Sequence, residues 1–415
     1  MEYINLADRI NKQLPVELVK FLKLAGATAT RLEQRLFLVG GVVRDLLLER
    51  PNLDLDLVVE GDAIELAEEL ARLVSGKVIA RSRFNTVKIR WERWTVDIAA
   101  ARSEFYQRPG ALPTVQTCCD IHSDLNRRDF SINAMAVYMD PPRFGELIDR
   151  FAGQSDLEKG LIRVLHDQSF QDDATRIWRA VRYEQRLDFK IEEHTLDIIK
   201  RDLKYLEAIS GDRVRRELEL CLEEEKPEKS LRRANDLGLL AEINPRLKFN
   251  ESSARLFARA RGRLEPFSAP EELELALLVY NLTPEALVEV NAFLKIPKPV
   301  AQVLQETLEL KNELPALADK GLTNSAIYHL LHRFQQTAIL VNLLSAPSYY
   351  VRKPIELYLE KFQHVKTALT GKDLMAMGLT PGPQIKKTLE MLLEARLDGR
   401  VKSHAEEIEM VKKAS

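Results

Sequence analysis

The chain has 415 residues, 45% hydrophobic and 30% charged, with a formal net charge of −2. At roughly 150 residues per domain this length suggests two or three domains. The composition allows real cores but excludes a membrane protein, because no run of about 18 apolar residues is available to span a bilayer. The N-terminal stretch MEYINLADRINKQL is mixed and charged and lacks the apolar centre of a signal peptide, so a cytoplasmic protein is expected. The cysteines are Cys118, Cys119 and Cys221; no pair has zinc-site spacing, and the odd count points to reduced thiols.

In chain order, residues 1 to about 35 read as two short helices. RLFLVG is a short apolar strand, and GGVVRDLLLER turns at Gly40 and Gly41 into a helix. LDLDLVVEG is the next strand, and DAIELAEELARLVSG is a helix with Asp62 as N-cap and Gly76 as its stop. KVIARSRFNTVKIRWERWTVDIAAA supplies two or three strands, ending at Asp97. The stretch RSEFYQRPGALPTVQTC reads as a loop because of Pro109, Gly110 and Pro113, and it is long enough to be functional. DLNRRDFSINAMAVYM resumes helix and strand. From about residue 150 the pattern is helical almost to the end, with breaks near Pro245 and at EPFSAPEE, KIPKP, SAPSYYVRKP and GLTPGPQ. The expected class is α+β: a head with a mixed sheet, then an elongated all-helical remainder.

The chemistry concentrates first in PNLDLDLVV. Asp54 and Asp56 alternate with leucines, so on a strand they share a face. Two like charges on one face repel unless a positive group lies between them. Hard divalent cations take oxygen ligands and keep substrate phosphates in their shell, and Asp97 on a neighbouring strand is the candidate third carboxylate. The bland alternative is an edge strand with polar residues outward. Just upstream, Gly40 and Gly41 let the backbone approach a ligand where a helix begins, a place for a triphosphate. Arg44 is suited to neutralise it, or is simply a helix-surface partner of Asp45. The stretch is neither a Walker loop nor a dinucleotide fingerprint.

Arginines cluster in TRIWRAVRYEQR (Arg176, Arg179, Arg182, Arg186), GDRVRRELE (Arg213, Arg215, Arg216) and SLRRAND (Arg232, Arg233). Such clusters bind polyanions even in a neutral protein, or are salt-bridged helix faces. His329 and His332 in YHLLHRF lack the further ligands of a zinc site. Trp91, Trp94 and Trp178 read as core or partly buried residues, with Trp178 alternatively bordering a nucleotide pocket.

LVGGVVRDLLLERPNLDLDLVV, DLNRRDFSINAMAV, DRFAGQSDL and DDATRIWRAVRY occur in that order. Together they resemble the class II tRNA nucleotidyltransferases, the family of CCA-adding enzymes and bacterial poly(A) polymerases. The similarity runs from about residue 36 to about residue 245; LTGKDLMAMGLTPGPQIKKTLEMLLEARLDGRV is the best-matching part of the remainder. The resemblance implies a polymerase beta-like head (1–150), a helical neck with base recognition (151–250), a helical body (251–365) and a tRNA-binding tail (366–415). It implies Mg²⁺ as cofactor and tRNA, ATP and CTP as partners; it specifies no oligomeric state.

Residue by residue, Asp54 and Asp56 match the metal-binding aspartates. Arg128 and Asp129 match the pair that reads the ribose. Asp173 and Arg176 match the side chains that recognise the incoming base, and Arg179 continues that face. DRFAGQSDL departs from the family's hinge-like motif, with Arg150 where proline is usual and Ala152 where the first glycine is usual. ARSEFYQRPGALPTV and AVRYEQRLDF look more like the A-adding branch than the usual CCA-adding one, and complete CCA addition and poly(A) synthesis stay open beside it. A non-catalytic RNA-binding module would be marked by loss of a carboxylate, and both aspartates are present. A small-molecule acceptor would need no long basic tract.

The base-reading pair has its own logic. On one helix, residues three apart share a face. A carboxylate only accepts hydrogen bonds and a guanidinium only donates. Adenine and cytosine both present an amino donor beside a ring-nitrogen acceptor, so one Asp–Arg pair satisfies either. Uracil and guanine present the reverse, and leaving such groups unpaired costs roughly 1–3 kcal/mol each, about one or two decades of discrimination. The alternative is an ordinary i,i+3 salt bridge.

Overall fold

Leu36, Phe37, Leu38 and Val39 are all buried, as are Leu57, Val58 and Val59, and these apolar runs make the central strands of a sheet. The computed structural model describes residues 4–82, 85–117, 120–263, 270–319 and 321–414. Cys118 and Cys119 lie outside the described residues. The chain divides into two compact units, Met1–Glu224 with Asp236–Glu242, and Glu225–Asn235 with Ile243–Ser415.

The first unit begins with α1 (Ala7–Gln13) and α2 (Val16–Arg31). The second of these is longer than its polar interruptions suggest, because Leu18, Val19, Phe21, Leu22, Ala25 and Ala29 recur at helical spacing and are buried. There follow β1 (Arg35–Val39), α3 (Gly41–Leu47), β2 (Leu55–Glu60), α4 (Ala63–Leu73), β3 (Lys77–Arg81), β4 (Thr86–Trp91) and β5 (Trp94–Ala100). The Asp62 carboxylate accepts from the backbone N–H of Ile64 and Glu65, capping α4 as expected. The left-handed residue that ends α4 is Ser75, with φ of 53°, rather than Gly76, whose N–H returns to the carbonyl of Ala71 at 2.7 Å.

The stretch expected to be a loop is a hairpin, β6 (Arg102–Phe105) and β7 (Thr114–Thr117), pairing Arg102 with Thr117 through Phe105 with Thr114. The proline and glycine breakers occupy its tip, and the flanking residues still pair. Next come α5 (Ile121–Asn126), β8 (Met135–Tyr138), β9 (Leu147–Asp149), α6 (Gly153–Lys159), β10 (Leu161–Ile162), α7 (Ser169–Asp172), α8 (Thr175–Leu187), β11 (Lys190–Ile191), α9 (Glu193–Asp202) and α10 (Gly211–Leu222).

The main sheet has seven strands in the order β3-β4-β5-β2-β1-β8-β9. Only β2 and β5 run parallel; the remaining neighbours are antiparallel. β5 alternates buried and half-buried residues along its whole length and ends at Ala100, three residues beyond the expected end at Asp97. Because β2 lies between β1 and β5, the edge-strand alternative for Asp54 and Asp56 is excluded.

Among the described residues the second unit contains helices and no strand. Its C-terminal part has a small core of Leu369, Leu374, Leu392 and Val411. There Glu407, fully buried, accepts from the N–H groups of Ala368 and Leu369 and pairs with Arg396 at 3.2 Å. The protein is therefore α+β, with a mixed-sheet head and a mostly helical remainder. Among the described residues no helix is long and apolar enough to cross a membrane.

Candidate active site

The sheet presents one line of charged residues across three strands. Asp56 on β2 is the register partner of Asp97 on β5, and Asp97 is the partner of Lys88 on β4. Asp54 stands immediately before β2, its N–H donating to Asn52 Oδ1 at 2.9 Å. Leu55 and Leu57 are buried while Asp54 and Asp56 are exposed, which is the alternation that puts both carboxylates on one face.

These carboxylates line a cavity of about 1130 Å³. The side chain of Asp56 is open to the cavity, yet protein surrounds it. That enclosure, and next the charges of Asp54 and Asp97, push its carboxyl up to about 6, against the pull of Arg128 and Lys88. Lys88 Nζ lies 2.9 Å from Asp97 Oδ2, and that hydrogen bond raises the Lys88 ammonium. So Asp97 stands beside Asp56 as expected of a third carboxylate, but an ammonium already engages it.

An arginine arm faces the carboxylates. Asp124 on α5 is fully buried and takes Arg127 Nε and Nη2 at 3.0 and 2.7 Å and Arg128 Nη2 at 2.9 Å. Burial pushes the Asp124 carboxyl up, but Arg128 and Arg127 outweigh it and hold the group down. Arg128 Nη1 would lie 3.0 Å from a Cβ added to Gly40, and Asp56 Oδ2 3.8 Å from it. Gly40 has φ of 75°, so glycine there both permits the turn and leaves room beside these charges.

Asp129 is buried and used from several sides. Its Oδ1 accepts from the Phe130 N–H at 2.8 Å and Asn133 Nδ2 at 3.1 Å, and its Oδ2 accepts from Arg179 Nε at 2.8 Å. Burial raises its carboxyl, but Arg179 and Asn133 win and hold it at about 2. Arg44 is buried, not the helix-surface residue of the bland alternative. Its guanidinium donates twice to Asp45, both at 2.9 Å, and once to Asn133 Oδ1 at 2.8 Å. Arg44, Asn133, Asp129 and Arg179 thus form one hydrogen-bonded chain within the cavity wall.

Asp173 and Arg176 both line the cavity, but not as one face of a helix. Asp173 is extended, with φ of −148° and ψ of 99°, in the break between α7 and α8. Its Oδ1 accepts from the Thr175 N–H at 3.1 Å and the Thr175 hydroxyl at 2.7 Å. Its Oδ2 accepts from Arg213 Nη2 at 2.7 Å. Arg176 is buried and donates to Ser169 Oγ at 2.8 Å and to the carbonyl of Arg127 at 2.7 Å. The helical-face expectation is therefore corrected: the two residues share a cavity because the chain breaks between them. The i,i+3 salt bridge of the alternative reading does not form either.

Sequence reasoning missed several residues of the wall. Arg213 and Glu217 lie one turn apart on α10; a generic basic cluster marked Arg213, and no signal marked Glu217. Tyr106 comes from the hairpin, its hydroxyl donating to Glu104 Oε2 at 2.9 Å; burial, then Glu104, raises its phenol. Glu104 also takes Arg127 Nη1 at 3.2 Å, tying the hairpin to the arginine arm. Arg128 Nε, Arg213 Nη1 and Glu217 Oε2 are buried without a hydrogen-bond partner, and all three side chains line the cavity. Orphan donors and acceptors in a cavity wall suit a polar ligand with both kinds of group.

Other signals resolve as structural. Trp178 is completely buried. His329 pairs with Glu394 at 3.0 Å and His332 stacks on Tyr328. Cys221 is buried, its thiol pushed up to about 12 by that burial. Arg182 and Arg186 approach Glu224, and Arg216 approaches Glu219 and Glu223, so these clusters are largely salt-bridged.

Ala152, where the family's motif usually has glycine, sits in the left-handed region with φ of 54° and ψ of 36° and precedes α6. The next residue, Gly153, packs so closely that a Cβ would meet the Ser131 carbonyl oxygen at 2.3 Å. The Asp149 carboxylate accepts from the N–H of Gly153 at 2.7 Å and of Gln154 at 2.9 Å.

Among the described residues no three His, Cys, Asp or Glu side chains converge as a ready-made metal cage. The donor set at Asp54 and Asp56 is nevertheless all oxygen, and Asp56 holds an elevated carboxyl beside like charges. Both features fit a hard divalent cation that takes its remaining ligands from phosphate and water.

Residues 36–163 match the family described as "Poly A polymerase head domain", and residues 188–250 match "Probable RNA and SrmB- binding site of polymerase A". An A-adding tRNA nucleotidyltransferase of Halalkalibacterium halodurans is 32% identical over 98% of this chain and 95% of its own length. An A-adding tRNA nucleotidyltransferase of Geobacter sulfurreducens is 34% identical over 96% of this chain, which spans about half (47%) of that longer relative. Among solved structures, the Thermotoga maritima CCA-adding enzyme complexed with tRNA is 32% identical, covers 100% of both chains and superposes with a TM-score of 0.79. The ordered motifs, the mixed sheet and this full-length similarity together make the chain a member of the class II tRNA nucleotidyltransferase family, the CCA-adding enzymes and bacterial poly(A) polymerases.

Proposed function

We propose that the protein transfers a nucleoside monophosphate from ATP or CTP to the 3′ hydroxyl of tRNA, without a nucleic-acid template. The 3′ oxygen gives up its proton to solvent and bonds to the α-phosphorus, the α–β phosphoanhydride bond breaks, and pyrophosphate leaves with the electron pair. The observation that carries this reading is the single cavity whose lining includes Asp54, Asp56 and Asp97 together with Asp173, Arg176 and Arg213. Acidic groups suited to a cation and an acid–guanidinium set suited to a base edge meet in one space.

In this reading a divalent cation such as Mg²⁺, held by Asp54 and Asp56, supplies charge neutralisation at the triphosphate and acidifies the attacking hydroxyl. Gly40 and Gly41 let the backbone come close to the triphosphate. Arg128, steered by Asp124, faces the sugar and phosphates. Asp129 serves by holding Arg179 rather than by offering a free oxygen, since both of its oxygens are engaged. Asp173 Oδ2, which accepts from Arg213 alone and unlike Asp129 Oδ2 keeps a lone pair, accepts from the amino group of adenine or cytosine, and the guanidinium groups of Arg176 and Arg213 donate to the ring nitrogen. Catalysis of this kind is positioning and electrostatics. The tail, residues 366–415, is the RNA-binding segment in this reading, with Lys372, Lys386, Lys387, Arg400 and Lys402 exposed on it.

The second reading is addition of the terminal A only, favoured by the A-adding relatives and by the hairpin and α8 sequences. One assay tests both. Purified protein is given labelled ATP or CTP with tRNA ending before CCA, after C, or after CC. Incorporation only of A onto tRNA ending in CC establishes the second reading; both nucleotides added in turn establishes complete addition. No incorporation on any of these ends sinks both.

A further inference from the structure

The carboxylate line ends on a cation that the proposed chemistry leaves without a task. Lys88 on β4 is the register partner of Asp97, which is the register partner of Asp56. Its Nζ is 2.9 Å from Asp97 Oδ2. The side chains of Lys88 and Asp97 are 40% and 29% exposed, and both line the cavity. An ion pair this open contributes little to stability, so its place in the line is poorly explained by folding. Strand geometry also leaves it few alternatives: Val87 and Ile89 are fully buried on the opposite face, so Lys88 must emerge beside Asp97.

We infer that Lys88 is a positioning residue that engages the Asp97 carboxylate beside the Asp54–Asp56 pair and thereby sets how tightly the cluster takes a divalent cation. This rests on the cation reading given above and adds a residue to it. Charge and geometry give the sign. With Lys88 present, Asp97 is occupied and the cluster's negative charge is partly offset. Without it, Asp97 is free to face the same cation as Asp56, and a repelling ammonium is gone. Cation binding then tightens.

The test uses the full chain, without nucleotide or tRNA, and Mn²⁺ as the probe, with free Mn²⁺ read by electron paramagnetic resonance. Lys88→Met and Lys88→Gln are expected to bind Mn²⁺ roughly three- to tenfold more tightly, given the loss of one screened charge at close range. Lys88→Arg is expected to match the unmodified chain. In Lys88→Met with Asp97→Asn the gain is expected to vanish. Unchanged or weaker binding in both neutral variants overturns the inference, as does a gain that survives Asp97→Asn. If the unmodified chain binds no Mn²⁺, or Asp56→Asn leaves binding intact, the cation reading falls and this inference with it. If Asp56→Asn removes binding while the Lys88 variants bind like the unmodified chain, this inference alone falls.

Discussion

The Asp173 carboxylate is held by Arg213 from α10, 2.7 Å away, and not by Arg176 three residues along its own chain. The contact aims Asp173 into the cavity and leaves Arg213 Nη1 buried without a partner. An acceptor and a donor are thereby fixed side by side by residues 40 apart in sequence.

Arg213→Met is therefore expected to weaken nucleotide selection more than RNA binding. Loss of one buried donor costs roughly 1–3 kcal/mol, so the KM for ATP should rise about tenfold or more. Preference for ATP and CTP over GTP and UTP should fall by a similar factor, with tRNA affinity unchanged. Steady-state incorporation with each of the four nucleotides, alongside filter binding of tRNA, checks this.

Asp54→Ala and Asp56→Ala should each abolish nucleotide incorporation while leaving tRNA binding largely intact, since Asp54, just before β2, and Asp56, on β2, are both exposed and line the cavity. Retained incorporation in either variant contradicts the assigned role.

The elevated Asp56 carboxyl predicts the pH dependence of cation binding. A proton and a divalent cation compete for this group. Mn²⁺ affinity should therefore be full above pH of about 6 and fall as pH drops through that value. Titrations between pH 5 and 8, a range of roughly three units around the ordinary working range, should show this slope.

The Asp129–Arg179 pair predicts a pH-dependent stability effect. The Asp129 carboxyl is held at about 2, below its ordinary value of 3.8. Its contribution is thus present above the ordinary value and is lost as pH falls toward 2. Asp129→Asn also strands a largely enclosed guanidinium, so a loss of about 2–4 kcal/mol is expected at neutral pH. The gap to the unmodified chain should narrow as pH drops from about 4 toward 2. Urea unfolding followed by tryptophan fluorescence measures it, since Trp91, Trp94 and Trp178 all belong to the first unit.

Ala152→Gly should stabilise the first unit by about 0.5–1 kcal/mol, because the left-handed backbone at φ of 54° strains a side chain that has a Cβ. A rise in the urea midpoint without a change of slope is the expected signature.

Local pattern was enough for much of this molecule. Alternation of Asp54 and Asp56 with Leu55 and Leu57 determined their common face, the Asp62 cap followed from its side-chain oxygen, and the order of four motifs identified the family. Each rests on residues within a few positions of one another, where backbone geometry dictates which side chains meet. Tertiary structure alone decided the rest. It paired Asp97 with both Asp56 and Lys88, because strand register is set by the packing of whole strands. It placed Arg213 against Asp173 and Arg179 against Asp129, because helix docking is set by buried apolar faces such as Val214 and Leu218 and Ile177 and Val181. It also turned a proline- and glycine-rich loop into a hairpin bearing Tyr106. Charged partners far apart in sequence leave no periodic trace, so their meeting becomes visible only once the apolar residues between them have packed.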